Sequence, residues 1–214
     1  NLTQGFQLFR KAAVLSVDAY HTRFQNQVVV DYDLDPQQLR FYNLDGSSVS
    51  NSLQIQLDME VVERLDLRLA YRFNDVRTDY RQGRREKPFV ARHRAFFNAA
   101  YETANAWKFD GTLNWQGPQR IPDTDANPPA YQLPARSPGF FLVNAQVSKA
   151  WGERFELYVG AENLLNFRQE APILASEDPF GPYFDASLVW GPLFGRMAYA
   201  GLRFRLQGGA RRER

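Results

Sequence analysis

From Leu53 to Val61 every odd position is apolar and every even position is polar: Leu53-Gln54-Ile55-Gln56-Leu57-Asp58-Met59-Glu60-Val61. At 100° per residue a helix would scatter those apolar side chains around its axis, whereas an extended strand puts them all on one face. The alternation breaks at Val62-Glu63-Arg64 and resumes from Leu65 to Asn74. Two such runs joined by two or three residues read as a hairpin. The two arms run ten residues each, 53–62 and 65–74.

The unit recurs along the chain. Arg94 to Thr103 turns at 104–106 into Trp107 to Gln116, and Phe141 to Ala150 turns at Trp151-Gly152-Glu153 into Phe155 to Asn163. Leu2 to Phe9 turns at Arg10-Lys11 into Ala13 to Thr22, and Met197 to Leu206 reads as a final strand. Tight turns fall near 10, 63, 105 and 152. Between them run long connections, roughly 23–50, 77–92, 117–138 and 165–195, punctuated by Asp35-Pro36, Asp45-Gly46, Gly117-Pro118, Pro128-Pro129 and Gly181-Pro182. Segments 26–33 and 39–43 are apolar enough to be extra hairpin arms inside the first long loop. The expected fold is all-β: an antiparallel up-and-down transmembrane β-barrel segment of about ten strands, short-turned at one end and long-looped at the other, without helices.

Composition removes several other classes. The 214 residues contain no cysteine, so disulfide scaffolds and thiolate metal sites are excluded. Twenty-six basic residues against 24 acidic ones, well mixed, give no basic field for nucleic acid. Mean hydropathy is −0.49, and no run approaches the ~20 apolar residues of a membrane helix. A membrane β-barrel survives that test, because alternating residues average out. A soluble lipid- or sugar-binding barrel with its oily face inward survives it too.

Strand length, aromatic placement and the polar face favour the membrane barrel. Ten-residue strands fit the ~9–11 needed to cross a bilayer at a tilt, whereas strands of globular proteins peak at ~5–6. Trp107 and Trp115 bracket the apolar face of one strand, about 26 Å apart along it and about 20 Å in height at a 35–45° tilt. There they would serve as membrane-interface aromatics, with Trp151 joining Trp107 at the turn side. The polar face carries Asp58, Glu60, Asp66, Arg68, Arg72, Arg94, Lys108, Asp110, Glu156 and Arg203 among others. Burying these in a dry interior would cost several kcal/mol each unless paired, so water, a plug or ion pairs must cover them.

Near the C-terminus the residues become specific. Gly160-Ala161-Glu162-Asn163-Leu164-Leu165-Asn166 resembles the segment closing the penultimate strand of TonB-dependent outer-membrane receptors. Asp178-Pro179-Phe180-Gly181-Pro182-Tyr183, Val189-Trp190-Gly191-Pro192 and Tyr199-Ala200-Gly201-Leu202-Arg203-Phe204 resemble their last loop and last strand. Asn43-Leu44-Asp45-Gly46, Leu69-Ala70-Tyr71 and Lys87-Pro88 are similar to earlier hairpins of the family. The resemblance implies the C-terminal portion of a receptor β-barrel over 1–206, in the outer membrane of a Gram-negative bacterium. It implies uptake of a scarce nutrient (an iron chelate, a cobalamin or an oligosaccharide). The implied partners are an N-terminal plug domain that this sequence does not contain, TonB acting through the plug, the barrel-assembly machinery, and outer-membrane lipid with its lipopolysaccharide. Residues 207–214, Gln-Gly-Gly-Ala-Arg-Arg-Glu-Arg, read as a disordered basic tail.

Other chemistry is sparse. His21 and His93 have no partner at metal-ligand spacing, Ser16 and His21 fall on opposite phases of their strand, and G-x-S-x-G and phosphate-loop motifs are missing. No cofactor and no enzymatic activity are expected. In the long loops Arg120, Tyr131, Arg136, Phe180, Tyr183 and Trp190 stand as ligand-contact candidates, because aromatic and Arg side chains dominate binding hot spots. Ordinary loop packing is the competing reading for each. Arg84-Arg85-Glu86-Lys87 reads either as a contact to anionic lipopolysaccharide or as a solvated charge run. A complete small barrel acting as a passive pore or structural protein is the remaining alternative.

Overall fold

The computed structural model describes residues 1–33 and 38–206. Asp35-Pro36 and the basic tail at 207–214 lie outside them. Twelve strands follow in chain order: β1 (Leu2–Leu8), β2 (Lys11–Phe24), β3 (Val28–Asp31), β4 (Arg40–Asn43), β5 (Ser48–Val62), β6 (Leu65–Tyr80), β7 (Gly83–Glu86), β8 (His93–Glu102), β9 (Trp107–Gln116), β10 (Phe140–Trp151), β11 (Phe155–Glu162) and β12 (Met197–Phe204). Nine of them form one antiparallel wall in the order β1-β2-β5-β6-β8-β9-β10-β11-β12, while β7 pairs only with β6. The wall is open, with β1 and β12 at its edges. The expected arms inside the first long loop are β3 and β4, a separate two-stranded sheet. Among the described residues the sole helical element is a 3₁₀ turn at Pro129–Tyr131.

Tight turns join the strands at one end. Phe9 and Arg10, the two residues between β1 and β2, both have positive φ (54° and 65°). This is the handedness that matches a two-residue hairpin to the twist of its strands. Arg64, Ala106 and Gly152 supply the left-handed residue at the next three turns, with φ of 68°, 62° and 60°. At the other end β2, β5 and β6 run past the alternating stretch, up to Phe24, from Ser48 and up to Tyr80.

Register converts the sequence period into two continuous faces. Val17, Ile55, Tyr71, Ala95, Trp115 and Phe141 lie directly across from one another over six strands. Leu15, Leu57, Leu69, Phe97, Leu113 and Val143 form the next apolar row. This oily face is open: Ile55, Tyr71, Phe109, Phe141, Leu157, Val159 and Leu202 all rank as exposed. A soluble domain would bury such a row as its core. The buried hydrophobic residues lie elsewhere, most of them in or beside the long connections: Val29, Leu44, Tyr80, Ala91, Ile121, Phe140, Ala175 and Leu188. At the long-loop rim of the oily face Tyr71 and His93 share a hydrogen bond of 2.7 Å, and His21 Nδ1 donates to Asn51 Oδ1 at 2.6 Å.

The opposite face is polar and much of its charge is paired. Arg68 meets Asp58, which also accepts from Gln56 at 2.7 Å. Lys11 meets Glu60 at 3.3 Å and Lys108 meets Glu102 at 3.4 Å. Arg203 meets Glu156 at 2.5 Å, and Asn98 donates to Asp110 at 3.0 Å.

Candidate functional site: the loop cluster above the polar face

All four long connections leave the same end of the wall, and side chains bind them to one another. Asp33, in the β2–β5 connection, receives Arg120 from the β9–β10 connection as a fork, Nη1 to Oδ1 at 2.9 Å and Nη2 to Oδ2 at 2.8 Å. The Asp123 backbone N–H adds a third bond to Asp33 at 2.8 Å. Arg120 Nε donates to the Glu86 carbonyl at 2.7 Å, so the connection after β6 joins the same knot. Burial by itself would raise the Asp33 carboxyl, but the Arg120 fork, the Asp123 amide and the nearby Arg85 together hold it below the usual carboxylate value.

Glu86 is the second hub. Its carboxylate takes Arg92 and also Arg136 at 2.7 Å. Arg85 lies 3.8 Å from both Asp33 and Asp123, and Arg84 lies 3.9 Å from Asp79. The Arg84–Lys87 run is therefore largely engaged with carboxylates of the loops rather than spread as a solvated strip.

The last connection, 163–196, is organised by buried amides. Asn163 holds φ at +50°. Its Nδ2 donates to the Phe167 carbonyl at 2.6 Å while its Oδ1 accepts from the Phe167 N–H at 3.0 Å. Asn166, also left-handed at +56°, accepts the Arg196 N–H at 2.9 Å, so the start and the end of the loop are tied together. This is the physical content of the Asn-Leu-Leu-Asn stretch: two Asn side chains that tolerate the left-handed conformation and satisfy orphan backbone groups. Gln169 accepts the N–H groups of Trp190 and Gly191 at 2.8 and 3.0 Å and donates to Leu188 at 3.0 Å. Gln119, fully buried, donates to the Trp190 carbonyl at 2.5 Å. Neither glutamine stood out in the sequence, since polar loop residues carry no periodic signal.

The six loop residues singled out from sequence fall into three settings. Arg120 and Arg136 come together, directly opposite each other in an isolated bridge and both bound to Glu86. Tyr131 and Tyr183 also come together, their rings stacked 5.4 Å apart, and the Tyr131 hydroxyl donates to Glu177 at 2.7 Å. That bond raises the Tyr131 phenol above its ordinary value. Trp190 packs with Phe140 and Phe167, whose own rings stack at 4.7 Å. Phe180 stands apart, wholly exposed at its loop tip. Of the interface candidates, Trp107 and Trp151 sit exposed at the tight-turn end of the apolar face and Trp115 lies at the long-loop end. Lys149 caps the Trp107 ring, its Nζ 5.4 Å from the centroid. Among the described residues no group of three or more His, Asp or Glu stands ready for a metal ion.

A meandering wall with one oily and one polar face, tight turns at one end and interlocked long loops at the other defines the outer-membrane class of β-barrel wall. The family model for the TonB dependent receptor-like beta-barrel matches residues 1–164. The chain belongs to that family. The match ends at Leu164, short of the last-loop and last-strand motifs on which the sequence resemblance was most specific. The structural likeness reaches further. The copper transporter OprC aligns with 94% of this chain at a TM-score of 0.65 and 14% identity. The ferric citrate transporter FecA, in its unliganded form, aligns with 94% at 0.61 and 13%. The closed form of the ferric-catecholate import receptor Fiu from E. coli K12 aligns with 93% at 0.60 and 13%. Identities this low speak for the fold alone. The chain spans 30%, 30% and 26% of those three proteins. The comparison with curated proteins returned no match.

Proposed function

We propose that this chain is part of the barrel wall of a TonB-dependent active transporter in the outer membrane of a Gram-negative bacterium. The observation that carries the proposal is the open apolar face, which runs over nine antiparallel strands in a chain of this receptor family. In this reading that face meets lipid, with Trp107 and Trp151 at one interface and Trp115 at the other. The polar face lines the lumen, where a plug domain from elsewhere in the receptor would sit and engage TonB. The interlocked loops face the outside, next to lipopolysaccharide. Cargo contact falls to the groups the loops leave accessible, Phe180, the Tyr131–Tyr183 stack and Arg136. Arg120 and Trp190 act as positioning residues that hold the loops in place. The cargo is a scarce nutrient taken up against a gradient. The proposal gains from the fate of loop charge: a passive pore has no need of three connections locked onto Asp33 and Glu86 and a fourth tied to them through Gln119 and Tyr131.

The test is uptake in a strain lacking the intact receptor, scored on a panel of ferric and other metal chelates, cobalamin and oligosaccharides. The expected result is loss of high-affinity uptake of at least one solute, restored by the gene only while TonB is present. Restoration without TonB would point to a passive pore, and recovery of the protein in the soluble fraction would remove the membrane assignment.

A further inference from the structure

Three pairs of like charges stand directly across from one another in the described structure. Glu60 faces Asp66, and Lys11 lies on Glu60 at 3.3 Å. Arg120 faces Arg136, and the carboxylates of Asp33 and Glu86 lie on them at 2.8 and 2.7 Å. Arg72 of β6 faces Arg94 of β8, and among the described residues neither has a carboxylate partner. Directly opposed like charges destabilise a strand pair. The two other pairs are each relieved by a counter-charge from the chain, and this one is not.

The surroundings suit an anion. The polar rung runs Gln54, Arg72, Arg94, Gln116 across β5, β6, β8 and β9, so an amide flanks each guanidinium. Arg72 uses only Nε, donating to Asn74 Oδ1 at 3.1 Å and to Ser52 Oγ at 3.3 Å, which leaves both Nη groups free and fixes the plane of the fork. The nearest carboxylate on the rung is Asp18, two strands beyond Arg72 and roughly 10 Å away by strand spacing, and it already accepts from Asn1 at 2.5 Å. On the other side the rung ends at Phe140, the residue on which the loop stack of Phe167 and Trp190 rests. The two guanidiniums thus lie just below the loop cluster, on the face it covers. Paired planar forks are the side-chain arrangement best matched to a two-oxygen anion.

We propose that Arg72 and Arg94 form a two-guanidinium site that binds an oxyanion, a carboxylate or phosphate group, on the polar face beneath the loops. The inference rests on the reading of that face as a receptor lumen. The oxyanion belongs either to a free solute entering past the loops or to an acidic side chain of the domain that fills the lumen, and the experiment separates the two.

Thermal unfolding of the intact receptor in detergent is compared with that of its Arg72→Gln/Arg94→Gln double variant, in chloride and in citrate at equal ionic strength. Citrate stabilises most proteins by exclusion from their surface, so the variant supplies the baseline. A midpoint raised by citrate a few degrees further in the wild type than in the variant supports a site for free oxyanions. An equal citrate response with a variant that melts several degrees lower supports a carboxylate held within the receptor. An equal response with a variant as stable as the wild type or more so overturns the proposal, because relief of repulsion is then the only consequence of removing the arginines. Outer-membrane fractionation and heat-modifiable gel mobility of both proteins report separately on the receptor-barrel reading.

Discussion

Arg120 reaches across 87 residues of sequence to lay its guanidinium on both carboxylate oxygens of Asp33, at 2.9 and 2.8 Å. The Asp33 side chain is 1% exposed and that of Arg120 14%, so removing either partner leaves an uncompensated charge away from water. Breaking such a pair costs about 3 kcal/mol. Asp33→Asn and Arg120→Ala are each expected to loosen the knot joining the first, second and third long connections while leaving the strands intact. Limited proteolysis is the measurement: new cleavage within 25–47 and 117–139, with heat-modifiable mobility unchanged. Cleavage confined to the tight-turn end would contradict the assignment.

The same pair dictates a pH dependence. The Asp33 carboxyl titrates below its ordinary value in the folded loops, so its share of stability is complete above the unfolded carboxylate pKa of about 3.9 and falls away as pH drops through the folded value. Loop protection in wild-type protein should therefore hold at neutral pH and fail in the acid range below about pH 4. Asp33→Asn should show weaker protection at neutral pH and lose the part of the acid transition that belongs to this group. A wild type and variant with identical acid transitions would show that Asp33 does not control the opening.

How far the sequence reads through to this structure depends on whether a periodic force acts. The apolar rows of β5, β6, β8 and β9 repeat every second residue, so those strands and their turns are legible within one or two residues at the tight-turn end. At the other end β5 begins at Ser48 and β6 reaches Tyr80, beyond the alternation. There Asn51 faces Asp75 where an apolar pair would continue the pattern, and the Ser48 and Thr78 hydroxyls meet at 3.0 Å in a buried polar contact. Trp190 reads from the sequence as an aromatic in a loop, but its ring belongs to a stack with Phe167 and Phe140 that forms only when the last connection folds onto the start of β10. Asp33 carries no such signal and Glu86 shows only as part of a charge run, because a carboxylate becomes a hub of this kind through partners such as Arg120 and Arg136, 87 and 50 residues away.

Tyr199 and Tyr158 cover glycines across the β11–β12 pair. Gly160 faces Tyr199 and Gly201 faces Tyr158, and a Cβ on either glycine would run into the tyrosine ring opposite. An aromatic laid over a cross-strand glycine pins register, and the Tyr199 hydroxyl extends the tie to Gln146 of β10 at 3.0 Å. Gly201→Ala should displace the Tyr158 ring and lower stability by about 1–3 kcal/mol, the usual cost of overpacking. Adding Tyr158→Ala should recover part of that loss, read as a partial return of the unfolding midpoint. Additive losses would mean the ring and the glycine do not meet.

The β1–β2 turn is built from residues poorly suited to it. Phe9 and Arg10 both hold positive φ, at a cost of roughly 1–2 kcal/mol per left-handed residue, and Phe9 is 77% exposed and so gains little by packing. Phe9→Asn with Arg10→Gly installs the pair best adapted to this turn. It is expected to raise stability by about 1 kcal/mol or more without altering the register of Leu8 opposite Lys11. A lower unfolding midpoint in the double variant would show that Phe9 makes a contact worth more than the strain it relieves.

Charge placed on the two faces of β5 separates a membrane wall from a soluble one. Ile55 lies on the open apolar row between Val17 and Tyr71, and its neighbour Gln56 points to the polar face between Ser16 and Ala70. If the oily face meets lipid, Ile55→Arg puts a guanidinium near the middle of the apolar band, at a cost of about 2–4 kcal/mol. Gln56→Arg adds the same group to a face already carrying Arg68 and Asp58 and should be close to neutral. Assembly in the outer membrane, scored by heat-modifiable mobility, should drop for Ile55→Arg and persist for Gln56→Arg. Equal assembly of the two variants would mean the apolar row is not seated in lipid. Failure of Gln56→Arg alone would invert the assignment of the faces, since the only force distinguishing two adjacent residues of one strand is the medium each side meets.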